Sequence, residues 1–145
     1  MIPFASRILP ALASLALATV TATAQTTVTN KGVFWGSGNP TSIVQGFTNQ
    51  LGAFQGTGAV VGQTPTGSLL GTFHWQGVGG NSLSGTFQLT LTTMLAPGVF
   101  VFVQQAQTTG GTGMFVNASG TDQAVGIINL NTSQFTGAFR GQLTY

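Results

Sequence analysis

Gly-x-Phe recurs seven times in this chain, at Gly32/Phe34, Gly52/Phe54, Gly71/Phe73, Gly85/Phe87, Gly98/Phe100, Gly113/Phe115 and Gly137/Phe139. On a strand, residues i and i+2 point to the same face. Each pair therefore sets a gap beside a large ring on one surface. A ring from one strand can then lie over the glycine of its neighbour, and the glycine lets the strand coil strongly. Strong coiling is what closes a sheet on itself.

The remaining residues agree with a sheet. Surface helices are built largely from Glu, Lys, Arg, Gln and Ala, whereas the polar residues here are Thr, Gln, Asn and Ser, and Thr favours a pleated surface. Glycines also recur too often for long helical windows. In "TFQLTLTT" (86 to 93), Phe87, Leu89 and Leu91 share one face and Thr86, Gln88, Thr90 and Thr92 the other. "VFVFVQQ" (99 to 105) is apolar on both faces, the pattern of a strand covered on both sides. Strands are predicted near 26–35, 43–48, 52–62, 67–77, 83–94, 99–107, 113–117, 122–130 and 134–145. Turn signals such as "GSGNPT", "GQTPTG" and "GVGGNS" separate them. The connections are short, so sequence neighbours should pair antiparallel.

Charge adds a second constraint. Past Arg7 the chain holds only Lys31, Arg140 and Asp122, with no Glu and no Cys. Sheet edges are normally blunted with Lys, Pro or inward charges, which are scarce here. A closed barrel has no free edges. The expected fold is therefore all-β: a closed, antiparallel, up-and-down barrel in one domain over 25–145. Two cations and one anion exclude a nucleic-acid partner, because phosphate binding needs several basic groups on one face. Without Cys no disulfide staples the fold.

Residues 1–24 read as a signal peptide. "MIPFASR" carries Arg7, "ILPALASLALATV" is apolar but too short to span a bilayer, and Ala22-Thr23-Ala24 is a small-x-small cleavage site. The expected location is secreted or periplasmic, with no membrane span after processing.

Catalytic and cofactor constellations are mostly missing. The glycine-rich "TTGGTGMFVNASGTDQAVG" (108 to 126) and "GTGAVVG" fit neither dinucleotide nor P-loop spacing, and no helix follows to bind an anion. The first is expected to be folded wall. No metal or other cofactor is expected: one His and one Asp make no metal cluster. A single acid cannot form a glycosidase pair. His74 and Asp122 would need to meet a Ser outside any G-x-S-x-G setting. Alternation in "TFHWQG" puts Phe73 and Trp75 on one face and His74 on the other. Rings facing inward leave His74 outside, whereas the reversed register would make it the sole titratable group in the cavity. Trp35, Phe73, Trp75, Phe87 and Phe115 are the candidate lining of a ligand cavity. The competing reading is that they fill the core of a barrel barely wide enough for one small ligand. Asn117-Ala-Ser119 and Asn131-Thr-Ser133 fit the glycan acceptor pattern.

Several stretches resemble one family. "GGTGMFVNASG" (110 to 120) resembles the Gly-Gly-Thr-Gly-x-Phe segment of the dirigent proteins and the allene oxide cyclase-like barrels. "LGAFQGTGAVVG" (51 to 62) is similar to their early G-x-x-Q-G strand, and "FHWQGVGGNSLSGTF" (73 to 87) to the dirigent hairpin. "FTGAFRGQLTY" resembles the last strand of small secreted bacterial proteins of this type. The resemblance covers about 45 to 145. It implies an eight-stranded barrel with an apolar interior, and trimers by analogy with plant members. No catalytic residue carries over, since those sites use carboxylates on early strands and this chain has only Asp122.

The leading expectation is a non-catalytic structural or apolar small-ligand-binding module. One alternative is a dirigent- or cyclase-like enzyme that steers a reactive intermediate by cavity shape. Another is an outer-membrane barrel, suggested by the alternating C-terminus ending at Tyr145. Against that stand a single Tyr, the lack of an outward apolar band and the lack of long loops. A surface fibre, suggested by the Gln, Asn and Gly content, is the last.

Overall fold

The computed structural model describes residues 24–145. The signal-peptide reading of 1–24 thus falls almost wholly outside the described residues. Eight strands form one closed antiparallel barrel in chain order. They are β1 (Thr27–Ser37), β2 (Thr41–Thr48), β3 (Gly52–Gln63), β4 (Leu69–Gln76), β5 (Ser82–Ala96), β6 (Val99–Thr112), β7 (Ser119–Asn129) and β8 (Gln134–Thr144). β1 and β8 close the ring with an unbroken register from Thr27↔Thr144 to Ser37↔Gln134. Thr26 and Tyr145 exchange backbone hydrogen bonds of 2.9 and 3.1 Å just beyond it.

Eight of the nine expected strands are present. The exception is 113–117, where Gly113–Phe115 form a single 3-10 turn. Gly113 sits at φ +64°, a left-handed conformation that a strand cannot continue through and that glycine adopts without cost. The glycine-rich segment is therefore wall at both ends, in β6 and β7, and a cap in the middle.

Rings do lie over glycines, and the partner is across the ladder. Phe87 pairs with Gly71, Phe73 with Gly85, Phe102 with Gly126, and Phe34 with Gly137. A Cβ placed on Gly85 or Gly137 would stand 2.8 Å from a ring carbon of Phe73 or Phe34. Each ring thus occupies the volume that its neighbour's side chain would take. Not every Gly-x-Phe works this way. Gly52, Gly98 and Gly113 have positive φ and belong to turns or strand ends. Gly36, Gly46 and Gly126, outside the repeat, supply further notches, for Phe135, Phe54 and Phe102.

The interior is consequently aromatic. Trp75 lies at its centre, stacked on Phe54 with centroids 4.5 Å apart. Phe73 and Phe139 are 4.8 and 5.5 Å away. Phe34 bridges this cluster to Phe102 and Phe135 at 6.3 and 6.2 Å.

Candidate functional site

The two ends of the barrel differ. One carries the β2–β3, β4–β5 and β6–β7 connections and is plugged. Phe115, fully buried, descends from the 3-10 turn and meets Tyr145 edge-on at 4.8 Å. Buried Leu51, Leu83, Ala118 and Leu143 complete the plug. Asn81 latches the two neighbouring connections by accepting the Met114 N–H at 3.1 Å. The Thr112 hydroxyl donates to the Gly80 carbonyl at 2.7 Å.

Just inside the plug lies the barrel's polar layer. Asp122 on β7 and Asn30 on β1 both pair with Gly141 of β8. With no side chain between them they meet over that glycine. Asn30 Nδ2 donates to both carboxylate oxygens, at 3.1 and 3.3 Å. Asn30 Oδ1 accepts from the Thr48 hydroxyl at 3.2 Å. Thr48 Oγ1 in turn accepts the N–H groups of Gln50 and Leu51, at 2.9 and 3.2 Å. Every donor along this chain points toward Asp122, and aligned bonds of this kind polarise one another. Burial pushes the Asp122 carboxyl up to about 6, while the Asn30 hydrogen bond pulls it down.

The other end, with the β1–β2, β3–β4, β5–β6 and β7–β8 turns, is open. A cavity of about 110 Å³ runs inward from it. Its walls are Phe34, Phe73, Trp75, Phe87, Phe102 and Phe135, with Val44, Leu69 and Leu89 between them. Polar groups at its margins include Ser42, Asn39, Gln104 and Ser133. Trp75 is the one lining ring that carries an N–H.

Of the five candidate lining residues, Phe73, Trp75 and Phe87 line this cavity. Phe115 does not, because it plugs the opposite end. Trp35 does not either: it is 48% exposed on the outer surface. Strand alternation allows only one of Phe34 and Trp35 inside, and Phe34 takes the inward place over Gly137. Phe34, Phe102 and Phe135 are lining residues missed from the sequence. Their signal was available in the inward alternation Phe135-x-Gly137-x-Phe139 and its counterpart around Gly126.

His74 is exposed on the outer face and holds Ser84 Oγ at 2.8 Å through Nδ1. Asp122 is inside, so His74 and Asp122 are on opposite sides of the wall and form no triad. Among the described residues no group of three or more His, Cys, Asp or Glu is gathered. Of the two acceptor asparagines, Asn117 is exposed in the β6–β7 connection. Asn131 donates its side-chain amide to the Pro97 carbonyl at 3.0 Å. No family model, curated protein or solved structure matches the chain.

Proposed function

We propose that this protein is a secreted or periplasmic binding barrel that holds one small apolar molecule at its open end, without catalysing a reaction. The observation that carries this reading is the ring-lined cavity, open at one mouth and closed behind by the aromatic cluster. Its volume of about 110 Å³ sets the ligand size. An apolar cavity of ~150 Å³ accommodates benzene, and drug-sized ligands need about 300–1,000 Å³. At about three-quarters of that benzene-binding volume, the open-mouthed cavity takes a short branched chain, or a single ring whose edge stays at the mouth, with one polar group oriented by Gln104 or Ser42. The only carboxylate lies beyond the aromatic cluster, at the plugged end, which argues for holding rather than acid–base chemistry. The same lining suits steering of a reactive intermediate by shape. Unaltered stereochemistry in phenoxyl-radical coupling would remove that second reading.

The test is titration of a Trp35→Phe variant with phenol and with toluene, read by the fluorescence of the remaining Trp75. Saturable change with Kd below about 1 mM is expected, consistent with the affinity ceiling for so few atoms. Leu89→Phe, which fills the cavity, should weaken binding at least tenfold. A linear, unsaturable response in Trp35→Phe would defeat the proposal.

A further inference from the structure

At the open end β5 and β6 run on beyond β4. The β4–β5 ladder stops at Leu69↔Leu89, while β5 continues to Ala96. The hairpin it makes with β6 ends in Met94, Leu95, Ala96 and Pro97, all exposed, with Met94 at 63% and Leu95 at 55%. The adjacent β7–β8 turn braces this tip. Leu130 donates its N–H to the Gly98 carbonyl at 2.7 Å, and the Asn131 amide donates to the Pro97 carbonyl. Leu130, 46% exposed, therefore stands beside the tip. β6 leaves it apolar on both faces, yet only the inner face is covered, since Val103 is 43% exposed on the outer wall.

We propose that this tip docks on a lipid surface, entering the headgroup layer with the cavity mouth beside it. Charge is the first argument. The ionisable side chains among the described residues are Lys31, His74, Asp122, Arg140 and Tyr145. Lys31 and Arg140 pair on the plugged side of mid-barrel. His74 is near the Gln76 end of β4 and Asp122 near the Ser119 end of β7, and Tyr145 is part of the plug. All five belong to the plugged half, so no ion has to leave water when the open end does.

Depth is the second. Behind the tip comes a polar collar of Thr90, Thr92, Thr93, Asn129 and Asn131. At about 3.3 Å per residue the turn stands roughly 10 Å beyond Thr93. Interfacial elements bury their apolar side about 5–10 Å into the headgroup boundary. Met94 pairs with Phe100 and Ala96 with Val99, so the hairpin satisfies its inward backbone groups itself. Those on the free edge of β5 stay at headgroup depth, where water reaches them.

Area and shape are the third, and they separate lipid from protein. Five apolar side chains at roughly 100 Å² each offer at most about 500 Å², short of the roughly 800 Å² per partner of a stable protein pair. An added strand is no better served. The register of β5 shifts between Leu91 and Thr93 and again between Met94 and Ala96, and bulges spoil an edge as a template for pairing. The cavity wall also continues onto the hairpin: Ile128, which lines the cavity, pairs with Phe100, and Phe100 with Met94. An apolar molecule dissolved in the lipid meets the mouth without crossing open water.

The chain has no Cys, so Leu95→Cys in the full chain carries a single environment-sensitive dye at the tip, whatever the N-terminal segment does. Val78→Cys, at a residue 75% exposed on the plugged end, is the control. With phosphatidylcholine vesicles the Leu95→Cys dye should brighten at least twofold and be quenched by brominated lipid. Half of the change is expected near ~1 mM lipid, weaker than the ~10⁴ M⁻¹ of a single myristoyl chain. The Val78→Cys dye should do neither. Adding Met94→Asp should raise the half-change concentration at least tenfold, and about 1 M salt should leave it in place, because no charge attracts the tip. No response of the Leu95→Cys dye up to about 5 mM lipid overturns the proposal, as do equal responses at the two labels or indifference to Met94→Asp. Brightening that follows protein concentration without lipid assigns the tip to a second copy and overturns it too. If Met94→Asp loses its circular dichroism, Ala96→Asp replaces it. No cavity ligand is added, so this outcome and that of the phenol titration are independent.

Discussion

Asp122 shows how a single residue sets a condition on the whole fold. Among the described residues its carboxyl has no cation partner inside the barrel; Arg140, one residue from the Gly141 notch, is on the outer face. Burial lifts it from the ordinary 3.8 to about 6. Well below 3.8 it is protonated in both folded and unfolded chains, and burial costs little. Between about 4 and 6 the unfolded chain ionises first, so stability falls as pH rises; above 6 the loss is constant. Two pKa steps set an upper limit near 3 kcal/mol, and solvent screening reduces that to about 2 kcal/mol. The urea midpoint of the wild-type chain is therefore expected to decrease from pH 4 to pH 7. Asp122→Asn should flatten that component and be the more stable form at pH 7. A wild-type midpoint that rises over this range contradicts the assignment of Asp122 as a penalised buried acid.

At the scale of elements, what matters is the pairing of a ring with an empty position on the next strand. β4 and β5 make the exchange twice, with Phe87 over Gly71 and Phe73 over Gly85. A Cβ at Gly71 would run into the Phe87 ring and lie 2.5 Å from the Ala59 carbonyl. A Cβ at Gly62, on β3, meets nothing within 4 Å. Gly71→Ala is expected to destabilise the barrel by about 1–3 kcal/mol through overpacking. Gly62→Ala should stay within about 0.5 kcal/mol of wild type. Thermal denaturation of the two variants side by side measures the difference, and equal melting temperatures would show that the notch is not what seats the ring. The repeat was visible in the sequence, but the pairs that operate were not all those it marked. Gly113 and Gly98 have the same spacing as Gly71, yet they lie in connections at positive φ, against the side chains of Asn81 and Asn131 rather than a ring.

For the whole molecule the decisive contact is the seam between first and last strands, joining residues as far apart as Thr27 and Thr144. Their hydroxyls also meet, at 2.7 Å. Such long-range pairing carries a loop-closure cost that neighbouring hairpins do not. Removing β8, by ending the chain at Thr132, leaves β1 and β7 as open edges with almost no charge to blunt them. The truncated chain is expected to elute in the void volume on size exclusion while the full chain elutes as a discrete species. A discrete, folded truncation would show that closure is dispensable.

Residue order alone determined the strand class, most strand positions and that Phe73 and Trp75 share a face opposite His74. These follow from alternation, turn residues and the poverty of charge, all local properties of the chain. It also pointed to closure, because so few ionic groups remain to protect an edge. Tertiary structure decided which ring faces which glycine, that Phe115 stoppers one end, and that Phe34 rather than Trp35 looks inward. It decided, too, that Asp122 and Asn30 meet across a glycine, and that Val33 and Val125 come level with each other on either side of Ala138. Those outcomes depend on register and on the curvature of eight strands together, and register is a relation between strands that no single strand encodes.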